Sequence, residues 1–430
     1  MNRLPISRLV LVLLVVNSVT ALCRAGTPGS CHYSDRVYDG DASLMGLREA
    51  PTHFRLMASR YISMVQAARG YQCTGTTTVG FDGHNYLQTG RSDDPGMMEL
   101  IPTVSRLIGM SIANTYDIVM FAVISSGILI GYAAFWHLYP DRRLRGIGAA
   151  VFLCLGIAEA KVADEYMFQI SPLIAGIPWL VHLGLNRKNL ALTISAALLA
   201  FCCSWCSLVR SGSIVICMTF LLTVFTTRYR IQKSLLPLTF IILACIPSVL
   251  FERSLIARRD VAIAKVGETA KAVNSHALWH TLYIGLGFIP NSEVPEYRDG
   301  VAGDKVRSID PTVAYTSAKY ESILRGELWG IVKRRPILVI GIFAAKAGIV
   351  ILLASILLFP ARRLIFTERS ALWLDAAFVL TIGMSAMNGI IAVPRASYLL
   401  TFLCLSFLYT SIKLFTYHVQ QKRERIVSYP

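Results

Sequence analysis

The chain has 430 residues, 54% hydrophobic and 16% charged, with a mean hydropathy of +0.53. This balance excludes an ordinary soluble domain and predicts an all-α polytopic membrane protein, because apolar runs of about 20 residues recur along the chain. The net charge of +16 does not indicate a nucleic-acid partner, since the basic residues are spread over short alternate loops.

Ten apolar spans are predicted, at 4–22, 118–139, 147–163, 167–185, 190–209, 213–227, 235–251, 337–359, 371–393 and 396–417. Arg3 and Arg8, then Arg142, Arg143 and Arg145, then Arg187 and Lys188 lie outside these spans on one side. Arg228, Arg230 and Lys233, Arg362, Arg363 and Arg369, and Lys422, Arg423 and Arg425 join them, against Asp141, Glu368 and Glu424. This positive-inside pattern predicts cytoplasmic termini, as in a multi-pass protein of a bacterial inner membrane. The chain then divides into a first transmembrane helix (1–22), an outer loop (23–117), spans two to seven (118–251), a second outer loop (252–336), spans eight to ten (337–417) and a cytoplasmic tail (418–430). The first span is expected to be a retained anchor, although Arg3 and Arg8 before it and Ala25 and Gly26 after it also fit a cleaved signal peptide.

Most cysteines fall inside apolar spans, where a thiol packs as a small hydrophobe, and this reading covers Cys203-Ser-Trp-Cys206. Cys31 and Cys73 lie in the first outer loop, where an oxidising compartment predicts a disulfide between them, with Cys23 as a competing partner. In residues 51–70, Phe54, Met57, Tyr61, Ile62 and Val65 share one helical face, as in a helix lying on the bilayer surface. Met97, Met98, Ile101, Val104, Leu107 and Ile108 repeat the pattern ahead of the second span. Between them lies the acidic pair Asp93-Asp94. Asp94 before Pro95 makes a good N-cap with proline at the first helical position, and the helix dipole favours Glu99. A cap uses one carboxylate, so Asp93 is either solvated or available for chemistry.

The third and fourth spans are joined by a hairpin containing Glu159, Lys161, Asp164 and Glu165. Ionisable groups at that depth are paired or functional, and Glu159 with Lys161 would make an ion pair. Arg210 stands nearly alone between the fifth and sixth spans, either as a phosphate ligand or snorkelling to headgroups. In the second outer loop, His276 and His280 lie four apart, on one face if the stretch is helical. Residues 297–307, with Arg307, read as a polar loop. Residues 311–335 read as an interfacial helix presenting Tyr320, Ile323, Leu324, Leu328 and Ile331 to lipid, ending in the basic cluster Lys333, Arg334 and Arg335.

Asp93-Asp94 before a juxtamembrane helix, the acidic hairpin 159–165 and Arg210 together resemble the GT-C superfamily of membrane glycosyltransferases, with bacterial arabinosyltransferases as one branch. The resemblance implies a polyprenyl-phosphate-linked sugar donor, a glycan or protein acceptor, and catalysis at the periplasmic face. It implies Asp93 or Asp94 as the base, and Arg210, Lys161, His276, His280 and Arg307 as ligands of the lipid phosphate. If a divalent metal is used, Glu159, Asp164 and Glu165 supply oxygen ligands for magnesium or manganese.

Three alternatives stand beside this reading. An O-antigen ligase or polymerase also uses lipid-linked sugar and relies on a large outer loop. A transporter places ionisable groups at mid-membrane, where Lys346 and Asp375 are the candidates. A noncatalytic scaffold tolerates changes at all these positions.

Overall fold

The computed structural model describes residues 50–81, 86–88, 95–139, 141–162, 165–186, 188–229, 231–265, 278–315, 317–366 and 371–428. The predicted first span, Cys23, Cys31, Asp93, Asp94, Asp164 and His276 lie outside them, and with Cys31 the predicted disulfide.

Among the described residues there are fourteen α-helices and one two-stranded sheet. The first outer segment contains α1 (Ala58–Thr74), β1 (Val79–Phe81), β2 (Tyr86–Gln88) and α2 (Pro95–Ile108). The strands pair antiparallel with Gly80 opposite Leu87. Six helices follow: α3 (Ile112–Leu138), α4 (Arg142–Val162), α5 (Met167–Leu185), α6 (Asn189–Val209), α7 (Ser213–Arg228) and α8 (Ile231–Lys265). The second outer segment holds α9 (Leu278–Gly285), α10 (Asp299–Ile309) and α11 (Ala318–Arg334), and the chain closes with α12 (Pro336–Leu358), α13 (Leu372–Ile391) and α14 (Ala396–Ser428).

Among the described residues, seven helices are long and apolar enough to cross a membrane: α3, α5, α6, α8, α12, α13 and α14. Two predicted spans fall short for different reasons. In α4 the arginines of its first turns and Glu159 and Lys161 near its end lower the apolar character. The α7 helix is apolar but has only 16 residues. Both pack in the bundle, α4 against α3 and α14, and α7 against α13. The closest crossing joins α3 to α5, where Gly127 and Gly131 leave room for the backbone of α5. A Cβ on Gly127 would stand 2.9 Å from the Ser171 carbonyl oxygen. Small residues four apart permit this approach in a membrane helix.

Two of the helix-surface expectations are corrected. The Tyr61 and Val65 face of α1 is buried with Met64 against the bundle rather than laid on lipid. Asp117 on α3 ties down the preceding chain, accepting the His53 and Phe54 amide N–H groups, each at 2.9 Å. Likewise Tyr320, Leu324, Leu328 and Ile331 of α11 do not meet lipid. They close with Tyr283, Leu286, Val306 and Ile342 into a second apolar core, separate from that of the bundle. The predicted polar loop at 297–307 is largely the helix α10. Asp299 in its first turn and Arg307 in its last complement the helix dipole, and Asp304 and Arg307 pair three residues apart at 2.6 Å.

Candidate functional site

The segments holding α1–α2 and α9–α11 and three bundle turns meet at one end of the helices. The first turn follows α4 and supplies Glu165 and Tyr166. The second, Arg210 to Gly212, joins α6 to α7. The third, Ala392 to Arg395, joins α13 to α14.

Arg210 is the C-cap of α6, its backbone extended and its N–H bonded to the Cys206 carbonyl at 2.8 Å. Two residues later Gly212 takes φ +97°, a left-handed conformation that reverses the chain into α7 and that residues with a Cβ rarely adopt. Beneath this turn the Gln169 amide donates to the Ser211 carbonyl. The turn holds the Arg210 guanidinium, almost fully buried, 4.1 Å from the centre of the Tyr166 ring and in hydrogen-bond contact with its hydroxyl. Glu165 Oε1 is shared by two guanidiniums. Arg60, from α1, forms an ion pair with it, and Arg210 lies 3.9 Å away.

The cluster continues through aromatic side chains. Tyr166 meets Tyr398 edge-on at 5.2 Å, and the Tyr398 and Tyr297 hydroxyls are bonded at 2.9 Å. Arg395 stands 5.0 Å above the Tyr297 ring. Burial pushes the Tyr166 and Tyr297 phenols well above their ordinary value, so both stay protonated hydrogen-bonding groups at neutral pH.

Beyond Tyr297 lies His280. Its Nδ1 is 2.8 Å from the Tyr320 hydroxyl and its Nε2 is 3.2 Å from Asp299 Oδ1. In the neutral tautomer with its proton on Nε2, the imidazole donates to Asp299 and Nδ1 accepts from the Tyr320 hydroxyl. The hydrogen bond from His280 is the main cause holding the Asp299 carboxyl below the usual carboxylate range, and the charge of Arg60 adds to it. Glu321 of α11 fixes this arrangement by accepting the Trp279 and His280 backbone N–H groups at 2.8 and 3.1 Å, exposed donors at the start of α9.

The expected site residues are thus partly brought together. Arg210 and Glu165 share the centre, with His280 in the adjoining group. Arg307 belongs to that group's far side, paired with Asp304. Lys161 is on the exposed side of α4, whereas Glu159, two residues earlier, is fully buried and accepts from Ser171, so the expected ion pair is not formed. The acidic pair itself is not described, but the helix after it starts against the end of α6, two residues before Arg210: a Cβ on Gly96 would stand 2.7 Å from the backbone of Leu208. Arg60, Tyr166, Tyr297, Asp299, Arg395 and Tyr398 were not anticipated as site residues.

Of the acidic residues expected for a divalent metal, Asp164 lies outside the described residues, and Glu159 and Glu165 already have protein partners. Glu165 is held by two cations and Glu159 is turned into the bundle, and no group of three or more candidate ligand residues forms among the described residues. The two mid-span ionisable residues have structural partners. Lys346 donates to the Ala392 carbonyl at 2.7 Å, at the end of α13. Asp375 is paired with Lys413 at 3.0 Å.

Comparison with protein-family models, curated proteins and solved structures finds no match to the chain.

Proposed function

We propose that this chain is a membrane glycosyltransferase, moving a sugar from a polyprenyl-phosphate donor to an acceptor hydroxyl at the outer face of a bacterial inner membrane. The observation that carries the reading is the meeting of Arg60, Glu165, Tyr166 and Arg210 from three separate segments, beside the start of the helix that follows Asp93 and Asp94. Guanidinium forks match phosphate oxygens two at a time, and their partial burial strengthens the attraction.

In this reading Arg210 and Arg60 hold the lipid phosphate. Asp94 or Asp93 takes the proton of the acceptor hydroxyl, whose oxygen forms the new bond at the anomeric carbon. The bond from that carbon to the phosphate oxygen breaks, its electron pair leaves with the phosphate, and configuration inverts. The two arginines offset the charge that gathers on the leaving group. Tyr166 holds the Arg210 guanidinium in place throughout.

The test is transfer from radiolabelled polyprenyl-phosphate sugars by the purified full-length protein in nanodiscs. Arg210→Ala and the double amide variant Asp93→Asn with Asp94→Asn are expected to abolish transfer while remaining folded and membrane-inserted. Wild-type rates in either would overturn the corresponding assignment. The group of His280, Asp299 and Arg307 favours a second reading, a ligase of lipid-linked sugar. In that case the double amide variant keeps its activity.

A further inference from the structure

The exposed face beside the arginine cluster has a chemistry of its own. The Asp299 side chain is 70% exposed although one of its oxygens is fixed by buried His280. Its Oδ2 accepts no bond among the described residues. Tyr315 is 53% exposed, yet its ring is held edge-on against His280 at 5.8 Å and against Tyr320 at 5.1 Å. A carboxylate with a preset acceptor oxygen thus stands beside an exposed aromatic ring locked by its neighbours.

We infer that Asp299 and Tyr315 form a carbohydrate subsite, in which a sugar ring of a glycan acceptor lies on Tyr315 and gives hydroxyl hydrogen bonds to Asp299. The inference rests on the glycosyl-transfer reading for the name acceptor, but the binding chemistry stands by itself. A sugar ring presents an apolar C–H face and a rim of hydroxyl donors. An exposed aromatic ring covers the first and an ionised carboxylate, which can only accept, takes the second. A cationic ligand is disfavoured, because Arg307 lies on the Tyr315 side of α10: a Cβ on Gly303 would meet the Tyr315 ring at 3.7 Å and an Arg307 nitrogen at 3.9 Å. Both side chains are already fixed before binding, which lowers the ordering cost of capturing a weakly held sugar.

Saturation-transfer NMR on the full-length protein in nanodiscs tests this without turnover. The probes are glucose-, galactose- and mannose-containing trisaccharides. Saturation transfer to at least one trisaccharide is expected for the wild type, to fall at least fivefold in Tyr315→Ala and in Asp299→Asn, and to persist in Arg210→Ala. Absence of transfer to every saccharide, or an unchanged signal in Tyr315→Ala, overturns the subsite; an acceptor that is a protein gives the first of these results. In the turnover assay, Tyr315→Phe is expected to keep the acceptor KM and Tyr315→Ala to raise it about tenfold with the donor KM unchanged. If saccharides bind as expected while Arg210→Ala retains wild-type transfer, the phosphate-site assignment fails and the subsite stands.

Discussion

Replacing Asp375 with asparagine tests how firmly the bundle depends on its buried ion pair. Asp375 is wholly buried and accepts bonds from Tyr409 at 2.8 Å, from Lys413 at 3.0 Å and from the Phe366 amide at 2.7 Å. Phe366 has φ +59°, unusual for a bulky residue, so the last bond holds a strained backbone. Asparagine keeps the shape but removes the charge, leaving the Lys413 ammonium buried beside a neutral amide. Breaking one side of a buried pair costs about 3–5 kcal/mol, whereas removing both charges together is often close to neutral. Asp375→Asn and Lys413→Met should therefore each destabilise by about 3 kcal/mol or more. The double variant should recover at least half of that loss, a coupling expected of residues in contact. Reversible unfolding in mixed micelles, followed by circular dichroism, measures all three. An Asp375→Asn protein within about 1 kcal/mol of wild type would refute the reasoning, since a surface pair is worth no more than that. So would a double variant as unstable as the two single losses added together.

Arg210→Lys keeps the charge but loses the planar fork over Tyr166. At about 1.5–3 kcal/mol for a hydrogen bond to a charged group, kcat/KM should fall about 10- to 150-fold in the transfer assay; a change under twofold contradicts the proposed role. Glu165→Gln removes the carboxylate shared by Arg60 and Arg210, all three largely buried, and should cost about 3–5 kcal/mol in the same unfolding experiment. An unaltered unfolding curve counts against that ion-pair geometry. The lowered pKa of Asp299 means that its ionisation adds stability at neutral pH, an addition lost as pH falls through the depressed value. His280→Phe preserves an aromatic ring but cannot donate, so the Asp299 titration followed by carboxyl carbon NMR should move up toward the ordinary carboxylate range, and an unmoved midpoint contradicts the hydrogen-bond assignment.

Much of the bundle was legible because hydrophobicity and the spacing of basic loops act over windows of about twenty residues. Polar contacts between distant segments leave no such trace. Arg60 reads as one polar residue on an amphipathic helix, and nothing nearby shows that it reaches Glu165, more than a hundred residues later. Tyr297 and Tyr398 stand about a hundred residues apart, and nothing in either stretch shows that their hydroxyls meet. Arg210 was legible because an isolated arginine between apolar helices is conspicuous in one dimension. The apolar stripe of α11 was recognised, but its direction was not: periodicity says that a face is buried and leaves open whether lipid or protein covers it. Here the second outer segment supplies enough apolar side chains to cover that face itself.

That self-contained packing sets the two candidate binding regions apart in their sensitivity to surroundings. The apolar centre around Tyr283, Val306 and Leu324 is enclosed by its own segment and the adjoining start of α12. The flanks of α8 and α12 instead point largely outward, and the arginine cluster is assembled from bundle turns. Solubilisation is therefore expected to disturb the proposed phosphate site sooner than the proposed saccharide subsite, so that a preparation without turnover in micelles still binds trisaccharides.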